Sequence, residues 1–238
     1  MSNNAAPLIL LTRPEPAASR FARACRDRLG AEIAVVIAPL AEIVPLPGAL
    51  DLGGIRGLIF TSEAGVSAFA TRSARRDLPA WCVGDRTAQA ARDVGLSAQS
   101  AAGDAETLIA AMGAASPEGP WLHLHGEDTR GDVVARLSDL GVEATGQAIY
   151  AQRPRAPDAG FRAAVGGTSP VIAPLFSPLS AKRFAAALNG DRPGHLTPVA
   201  LSAAVRDALP APWRAETPVA GAPNAGEMLR AMARRISP

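Results

Sequence analysis

The chain alternates short apolar runs with segments whose apolar residues recur at helical spacing, and one such unit occurs twice. Residues 58–70 (LIFTSEAGVSAFA) form an apolar run that ends in Phe60, continues with the hydroxyl residue Thr61 and passes into an Ala-rich helical pattern. A weaker copy stands at 175–185 (LFSPLSAKRFA). Each copy predicts a buried strand that leads into a helix through a small polar turn. The free N–H groups of such a helix start can receive an anion.

The remaining elements follow the same strand, turn and helix order. Alternating strands and helices predict parallel sheets with right-handed crossovers, in which ligands bind beyond the carboxyl ends of the strands. The predicted turns should therefore face a common cleft. Strands are predicted at 8–11, 81–83, 121–124, 144–150, 171–176 and 199–201, and the segment 32–44 is predicted to be a strand that bends at Pro39 and continues as a second extended piece. Helices are predicted at 17–29, from the turn at 84–87 to 94, from 104, and at 131–140, 180–188 and 202–209.

The repeat also predicts how the chain divides into domains. Residues 8–46 are echoed by 121–153, and 103–112 resemble 223–232, so the order is A, B, A′, B′. Pro-containing extended segments leave both A-type units. We therefore predict an α/β fold with two parallel-sheet domains and connectors at about 43–47 and 150–153. The domains are 1–42 plus 154–238, and an inserted domain at 48–149.

Composition narrows the function classes. The formal net charge of +2 argues against a nucleic-acid coat and against a polybasic membrane surface. Cys25 and Cys82 belong to no CxxC pair and are expected to be reduced core residues. No apolar run approaches the ~20 residues that span a bilayer, and no signal-like segment stands at the start. A cytoplasmic location is expected.

Hydroxyl residues and two arginines cluster in the predicted turns. N-capping is the simpler explanation of any single one of these hydroxyl residues, but the same chemistry at several turns on one presumed face weakens that explanation for the set and favours an anion site. Arg13 and Arg130 lie in such turns, where a guanidinium can add a forked donor or remain a solvated surface charge. The hydroxyl residues at helix entries are Thr61, Ser62, Thr87, Ser177, Ser180 and Ser202.

Tyr150 is the only tyrosine of the chain and lies in the second connector. Its hydroxyl can donate a proton or hydrogen bond over a cleft, or the ring can be an ordinary packed strand residue with a hydrated hydroxyl. His123 and His125 lie on one face of a strand, but no third ligand follows at a usual spacing, so no metal is expected. His125, at the strand end, is still a candidate to face a ligand. No dinucleotide, phosphate-loop or hydrolase motif occurs.

Taken in order, seven segments resemble those of uroporphyrinogen-III synthases. They are LTRP at 11–14, LIFTSEAGVSAF at 58–69, WCVGDRTA at 81–88, AGD at 102–104, LHLHG at 122–126, IY at 149–150 and LFSPLSAKRF at 175–184. The likeness covers nearly the whole chain. It implies two flavodoxin-like or Rossmann-like domains joined by a two-stranded linker. It also implies a lyase that dehydrates and cyclises hydroxymethylbilane to uroporphyrinogen III with inversion of ring D, without a cofactor.

The resemblance also implies roles for particular residues. Tyr150 matches the tyrosine that assists departure of the hydroxyl, and Thr61, Ser62, Thr87 and Ser177 match hydroxyl positions that line the cleft. Two departures affect single contacts: Val205 stands where a Thr is frequent, and His125 stands where an Arg often precedes the glycine. The predicted substrate-binding set is Thr12, Arg13, Thr61, Ser62, Thr87, His125, Gly126, Arg130, Ser177, Ser180 and Ser202.

Two rival functions remain at this point. One is a non-catalytic sensor or carrier that binds an anionic ligand in the same cleft. The other is a nucleotide-sugar transferase, which the missing phosphate loop and metal carboxylates disfavour. The main interpretation implies hydroxymethylbilane as the small-molecule substrate, a monomer, and no nucleic acid or membrane partner. A transient contact with the upstream enzyme that forms the bilane is the macromolecular partner it leaves open.

Overall fold

The computed structural model of the chain describes residues 7–128 and 132–236. These residues divide into two compact units. Unit 1 is Met1–Glu42 with Arg153–Pro238, as far as these ranges are described, and unit 2 is Ile43–Gln152. The chain passes between the units inside two strands, Ala41–Pro45 and Ala144–Pro154. The predicted connectors overlap these two strands, and their role as a linker stays a prediction.

Ten strands and ten helices are formed by the described residues. The strands are β1 (Leu8–Leu11), β2 (Val35–Ile37), β3 (Ala41–Pro45), β4 (Gly57–Phe60), β5 (Ala80–Cys82), β6 (Ala98–Ser100), β7 (Trp121–Gly126), β8 (Ala144–Pro154), β9 (Val171–Leu175) and β10 (Leu196–Ala200). The helices are α1 (Ala17–Leu29), α2 (Glu63–Arg72), α3 (Asp85–Asp93), α4 (Ala105–Ala115), α5 (Val133–Asp139), α6 (Ala159–Gly166), α7 (Pro178–Ala187), α8 (Ala203–Asp207), α9 (Ala211–Arg214) and α10 (Ala225–Ile236).

Unit 1 is a four-stranded parallel sheet with a core on each face. The strand order is β10-β9-β1-β2. One core packs Phe184 of α7 and Trp213 of α9 against the sheet, and the other packs Phe21 of α1 and Met228 of α10. Because both faces are covered, the strands are nearly continuous apolar runs, as expected for a parallel sheet between helices.

Unit 2 contains a six-stranded sheet in the order β3-β8-β7-β4-β5-β6. Strands β8 to β6 of this order run parallel. Leu46 N–H donates to the Ile149 carbonyl and Arg155 N–H to the Leu40 carbonyl, both at 3.0 Å, so β3 runs antiparallel to β8. Phe69 of α2 packs on one face of the sheet, and Leu108 of α4 packs on the other.

The two sheets share one strand order. Reading β2-β1-β9-β10 in unit 1 beside β8-β7-β4-β5 in unit 2 gives the same succession: second A strand, first A strand, first B strand, second B strand. Val219 pairs in parallel with Ala200 of β10, at the place that β6 takes beside β5. The sequence repeat is therefore a repeat of topology, and each sheet combines an A-type with a B-type unit.

The predicted α/β class with parallel sheets is confirmed. β1 and α1 occur at the predicted residues, and α1 ends at Gly30, whose φ of 124° suits glycine. Cys25 and Cys82 are buried and unbridged, and burial raises the pKa of each thiol to about 12.

Three elements were not predicted from the sequence. β6 is a short, mostly polar strand, and α6 begins where the Asp158 carboxylate accepts the Phe161 N–H at 2.9 Å. The predicted helix at 202–209 ends at Asp207, and the short helix α9 follows Pro210. Proline has no N–H and disfavours a helical residue before it, which accounts for the break.

Candidate active site

The polar groups of unit 2 meet at the carboxyl ends of β4 and β7, beside β8. The Tyr150 hydroxyl lies 2.8 Å from Ser62 Oγ, and Ser62 is the N-cap of α2, where its Oγ accepts the Gly65 N–H at 3.1 Å. A phenol, a serine hydroxyl and a helix N–H therefore form one hydrogen-bonded series. The N-terminus of α2 contributes partial positive charge at the end of this series that lies at Gly65.

The Tyr150 ring is held from two sides. Tyr150 packs against the apolar cluster that contains Phe60, Phe69 and Ile149. A bulge between His125 and Gly126 places Gly126 opposite Tyr150, and a Cβ at Gly126 would lie 2.8 Å from the tyrosine Cζ. Only glycine allows this approach of ring and backbone, so the bulge fixes the position of the phenol.

A second polar pair lies next to the first. Thr61 Oγ1 is 3.2 Å from His123 Nε2, and His123 is 2% exposed. Burial, and secondarily the charge of nearby His125, lower the pKa of His123 to about 4. His123 is therefore neutral at pH 7, and its single ring proton can lie on either nitrogen.

His125 turns its ring toward the backbone of the strand end. Its Nδ1 lies 2.8 Å from the Gly126 carbonyl, which can only accept, so Nδ1 is the donor. The two histidine rings have centroids 4.9 Å apart. Within 7–128 and 132–236, no three or more His, Cys, Asp or Glu side chains are grouped to hold a metal ion.

Unit 1 places a related cap at the end of β9. Ser177 is the N-cap of α7, its Oγ accepts the Ser180 N–H at 3.1 Å, and Ser180 Oγ accepts the Ser177 N–H at 3.0 Å. Beside this capping box, the guanidinium of Arg13 lies 4.2 Å from the centroid of the Phe176 ring. Thr12, at the end of β1, is buried.

The other predicted site residues lie elsewhere in their units. Ser202 is the N-cap of α8 but makes no side-chain cap hydrogen bond. Thr87 is not a cap, because α3 begins after Gly84 and Thr87 is its third residue, buried on the core side. Val205 takes the same third position in α8 and is also buried. Arg130 lies outside the described residues.

A family model described as uroporphyrinogen-III synthase HemD matches residues 19–229, which is most of the chain. The chain belongs to the uroporphyrinogen-III synthase family. No curated protein sequence matches it significantly.

Solved structures that carry the same family name resemble the chain in fold. The crystal structure of a uroporphyrinogen-III synthetase from Helicobacter pylori 26695 matches with a TM-score of 0.67 at 14% identity, covering 97% of this chain and 99% of that one. A mutant and another uroporphyrinogen III synthase of Thermus thermophilus match at TM-scores of 0.49 and 0.42, with 14% and 17% identity. They cover 96% and 97% of this chain, and 98% and 100% of their own. The likeness of fold rests on the Helicobacter pylori structure.

Among the described residues, no helix is long and apolar enough to cross a membrane.

Sequence reasoning overlooked His123, which lies at the candidate site, and Arg72, which donates to the backbone just before Tyr150. His123 was considered only as a metal ligand, although its position on the same strand face as His125 signals an inward polar side chain. Arg72, at the end of α2, donates from Nη1 to the Ile149 carbonyl at 3.3 Å and from Nη2 to the Gly48 carbonyl. No local pattern points to Arg72, because its partners lie on distant segments.

Proposed function

We propose that this member of the family is a uroporphyrinogen-III synthase that dehydrates and cyclises hydroxymethylbilane to uroporphyrinogen III, with inversion of ring D. In enzyme classes this is a lyase, specifically a hydro-lyase, of tetrapyrrole biosynthesis, which leads to haem, chlorophyll and cobalamin. The observation that carries the proposal is the series Tyr150, Ser62 and Gly65 N–H at the strand ends of unit 2. Family membership gives the reaction that this series would serve.

Tyr150 acts as the proton donor in this proposal. The C–O bond of the terminal hydroxymethyl group breaks, its electron pair stays with oxygen, and the phenolic proton completes a water molecule. The nitrogen of the pyrrole that carried this group supplies electrons, and that pyrrole becomes an azafulvene cation. The substituted carbon of ring D attacks this cation to form a spiro intermediate, which fragments and recloses. Loss of one carbon-bound proton restores the phenol, so the net change is release of one water.

Ser62 stabilises the Tyr150 oxygen as the phenol gives up its proton. Its Oγ already accepts the Gly65 N–H, so its hydroxyl proton is available to the Tyr150 oxygen. When the phenolic proton leaves, this donation stabilises the growing negative charge, supported by the positive end of α2. Because cap and N–H are held by the helix start, the arrangement needs little reorganisation during the reaction.

The hydroxymethylbilane side chains are carboxylates, and the helix starts with hydroxyl caps suit them. Thr61 in unit 2 is the carboxylate contact for which the geometry argues most directly, because the Ser62 hydroxyl proton is already given to Tyr150. Ser62 stays in the set through the N–H groups of the helix start that it caps. The other members of the predicted set remain proposed contacts: Thr12, Arg13, Thr87, His125, Gly126, Arg130, Ser177, Ser180 and Ser202. We extend the proposal to a cytoplasmic, cofactor-independent monomer, with a transient contact to the bilane-forming enzyme as a further element.

Incubation with hydroxymethylbilane, followed by chromatographic separation of the type III isomer from the spontaneously formed type I isomer, tests the function. The wild-type protein should give type III in catalytic amounts. Tyr150→Phe, which keeps the packed ring, should lower kcat by about 100-fold, with circular dichroism as the check on folding. An unchanged kcat in this variant would assign the proton to another donor.

The alternative function, a sensor or carrier, predicts a different result in the same assay. Such a protein would bind hydroxymethylbilane and release only the type I isomer, even when it exceeds the substrate. The family match supports the synthase and does not favour this alternative.

A further inference from the structure

The hydrogen bond between Thr61 and His123 joins a partly exposed residue at the end of a strand to a buried histidine. Thr61 follows β4 directly, is partly exposed and precedes the cap Ser62, whereas His123 is almost completely buried in β7. In the register of the two strands, His123 lies opposite Ile59. A buried imidazole costs free energy unless its polar atoms are paired, so this residue needs a reason beyond packing.

Unit 1 shows that the fold does not require a histidine at this place. Ile59 lies three residues before Ser62, and Pro174 lies three residues before the equivalent cap, Ser177. β1 and β9 pair Leu8 with Val171 and Ile9 with Ile172, and continuing this register brings Leu11 opposite Pro174. Leu11 is completely buried. An aliphatic side chain therefore fills the matching position of the repeated fold.

We propose that His123 is a positioning residue that donates its Nε2 proton to Thr61 Oγ1 and so directs the Thr61 hydroxyl proton toward a carboxylate of the substrate. This inference rests on the proposed function and deepens it at the same site. It names a residue outside the predicted set and gives its role through Thr61.

The chemistry of a hydroxyl group supports this direction. A threonine hydroxyl has one proton, and an anionic carboxylate can only accept hydrogen bonds. If Thr61 gave its proton to His123, the oxygen facing the substrate would present only lone pairs and would repel the anion. If His123 gives the proton, Thr61 keeps its own for the substrate.

Burial keeps the imidazole of His123 in its neutral form. The depressed pKa leaves one proton on the neutral ring at pH 7, so the donor nitrogen is set by the hydrogen bonds that the ring makes. The nearest titratable neighbour identified is His125, whose Nδ1 donates to the Gly126 carbonyl. The tautomer of His123 is the measurable consequence.

The first test reads the tautomer without substrate. Long-range proton–nitrogen correlation spectra of the ¹⁵N-histidine protein at pH 7, assigned with His123→Gln, should show the His123 proton on Nε2. A proton on Nδ1 would overturn the proposal, because Thr61 would then be the donor. This readout does not depend on catalytic activity.

The second test is a double-mutant cycle measured with hydroxymethylbilane. His123→Leu and Thr61→Val should each raise KM by about 3- to 10-fold, the range of one neutral hydrogen bond, with kcat within about 2-fold. The double variant should be no worse than either single one. His123→Gln, which can place an amide N–H near the Nε2 position, should recover most of the affinity.

The outcomes of the cycle separate the alternatives. Additive effects of the two substitutions, or a loss in kcat instead of an increase in KM, would overturn the positioning role. Retained folding of His123→Leu is checked by urea unfolding, and His123→Gln serves as the second variant. If the wild-type protein forms only the type I isomer, the proposed function fails, while the tautomer measurement still decides the hydrogen-bond direction.

Discussion

The ends of β4 in unit 2 and of β9 in unit 1 have the same backbone and different chemistry. Ser62 and Ser177 have φ and ψ of −156° and 153°, and of −153° and 156°, and each accepts the N–H of the third residue after it. The residue before the cap differs. Thr61 bonds to buried His123, whereas Phe176 lies under Arg13 and against Phe21, with a centroid distance of 4.8 Å.

This difference shows which features the repeated fold imposes. The strand order and the cap recur because both are needed to build a parallel sheet that leads into a helix. The polar pair and the phenol occur only in unit 2, so proton transfer is assigned to unit 2 in our proposal. Unit 1 presents a guanidinium on an aromatic ring at the matching place, which suits anion recognition.

A second matched pair of helix starts concerns Val205, where the resemblance leads us to expect a threonine. Gly84 begins α3 and Ser202 begins α8 with nearly equal dihedral angles, and the third residues of these helices are Thr87 and Val205. Both side chains are buried. Valine and threonine have nearly the same shape, so Val205 preserves the packing at this position without the hydroxyl.

The largest predicted effect concerns His123, where unit 1 has Leu11. The folded-state pKa of His123, about 4, lies below the ordinary value of 6.5. Protonation therefore favours the unfolded chain, and stability is lost as pH falls from 6.5 toward 4. Over that window the wild type should lose about 3 kcal/mol of unfolding free energy relative to His123→Leu. Urea unfolding of both proteins at several pH values measures it, and parallel pH curves would contradict the buried neutral state.

The second prediction alters the bulge that holds Tyr150. Gly126→Ala adds a methyl group within about 3 Å of the phenol ring, and the displaced hydroxyl should lower kcat about 10- to 100-fold. Gly113→Ala is the matched control, because the added methyl group meets only the exposed side chain of Leu140 and kcat should not change. Equal activities of the two variants would show that the position of the ring is unimportant.

The third prediction tests the two caps directly. Ser62→Ala and Ser177→Ala should each lower the unfolding free energy by about 1 kcal/mol, since each removes one side-chain cap. Only Ser62→Ala should also lower kcat, by about 5-fold, because it removes the hydrogen bond to Tyr150. Urea unfolding and the isomer assay give the two readouts. A similar loss of kcat in both variants would contradict the assignment of proton transfer to unit 2 alone.

The smallest effect is expected at Phe176. Phe176→Leu keeps most of the apolar volume but removes the ring contacts with Arg13 and Phe21, so the unfolding free energy should fall by about 0.5 to 1 kcal/mol. Thermal and urea unfolding measure the change, with kcat expected to stay near the wild-type value. A gain in stability would show that the aromatic contacts are strained.

Much of the fold was predictable because its signals are local. The apolar runs at β1 and β4, the cap positions at Ser62 and Ser177, and the stop at Gly30 can all be read within a few residues. The polar strand β6 was missed because its pairing with β5 supplies what its own residues do not. Thr87 was wrongly placed at a helix entry, because α3 already begins after Gly84, which makes no side-chain cap.

The candidate site was predictable in its residue types but not in its contacts. Tyr150 and Ser62 are 88 positions apart and Thr61 and His123 are 62 apart, so no window of sequence relates them. By itself, the sequence determined the repeat, the α/β class and the hydroxyl turns, because strand and helix periodicity act over short distances. Only the tertiary structure decided that Tyr150 meets the Ser62 cap and that His123 is buried beneath Thr61. Strand register brings distant residues together, and burial then determines which form of a polar group is stable.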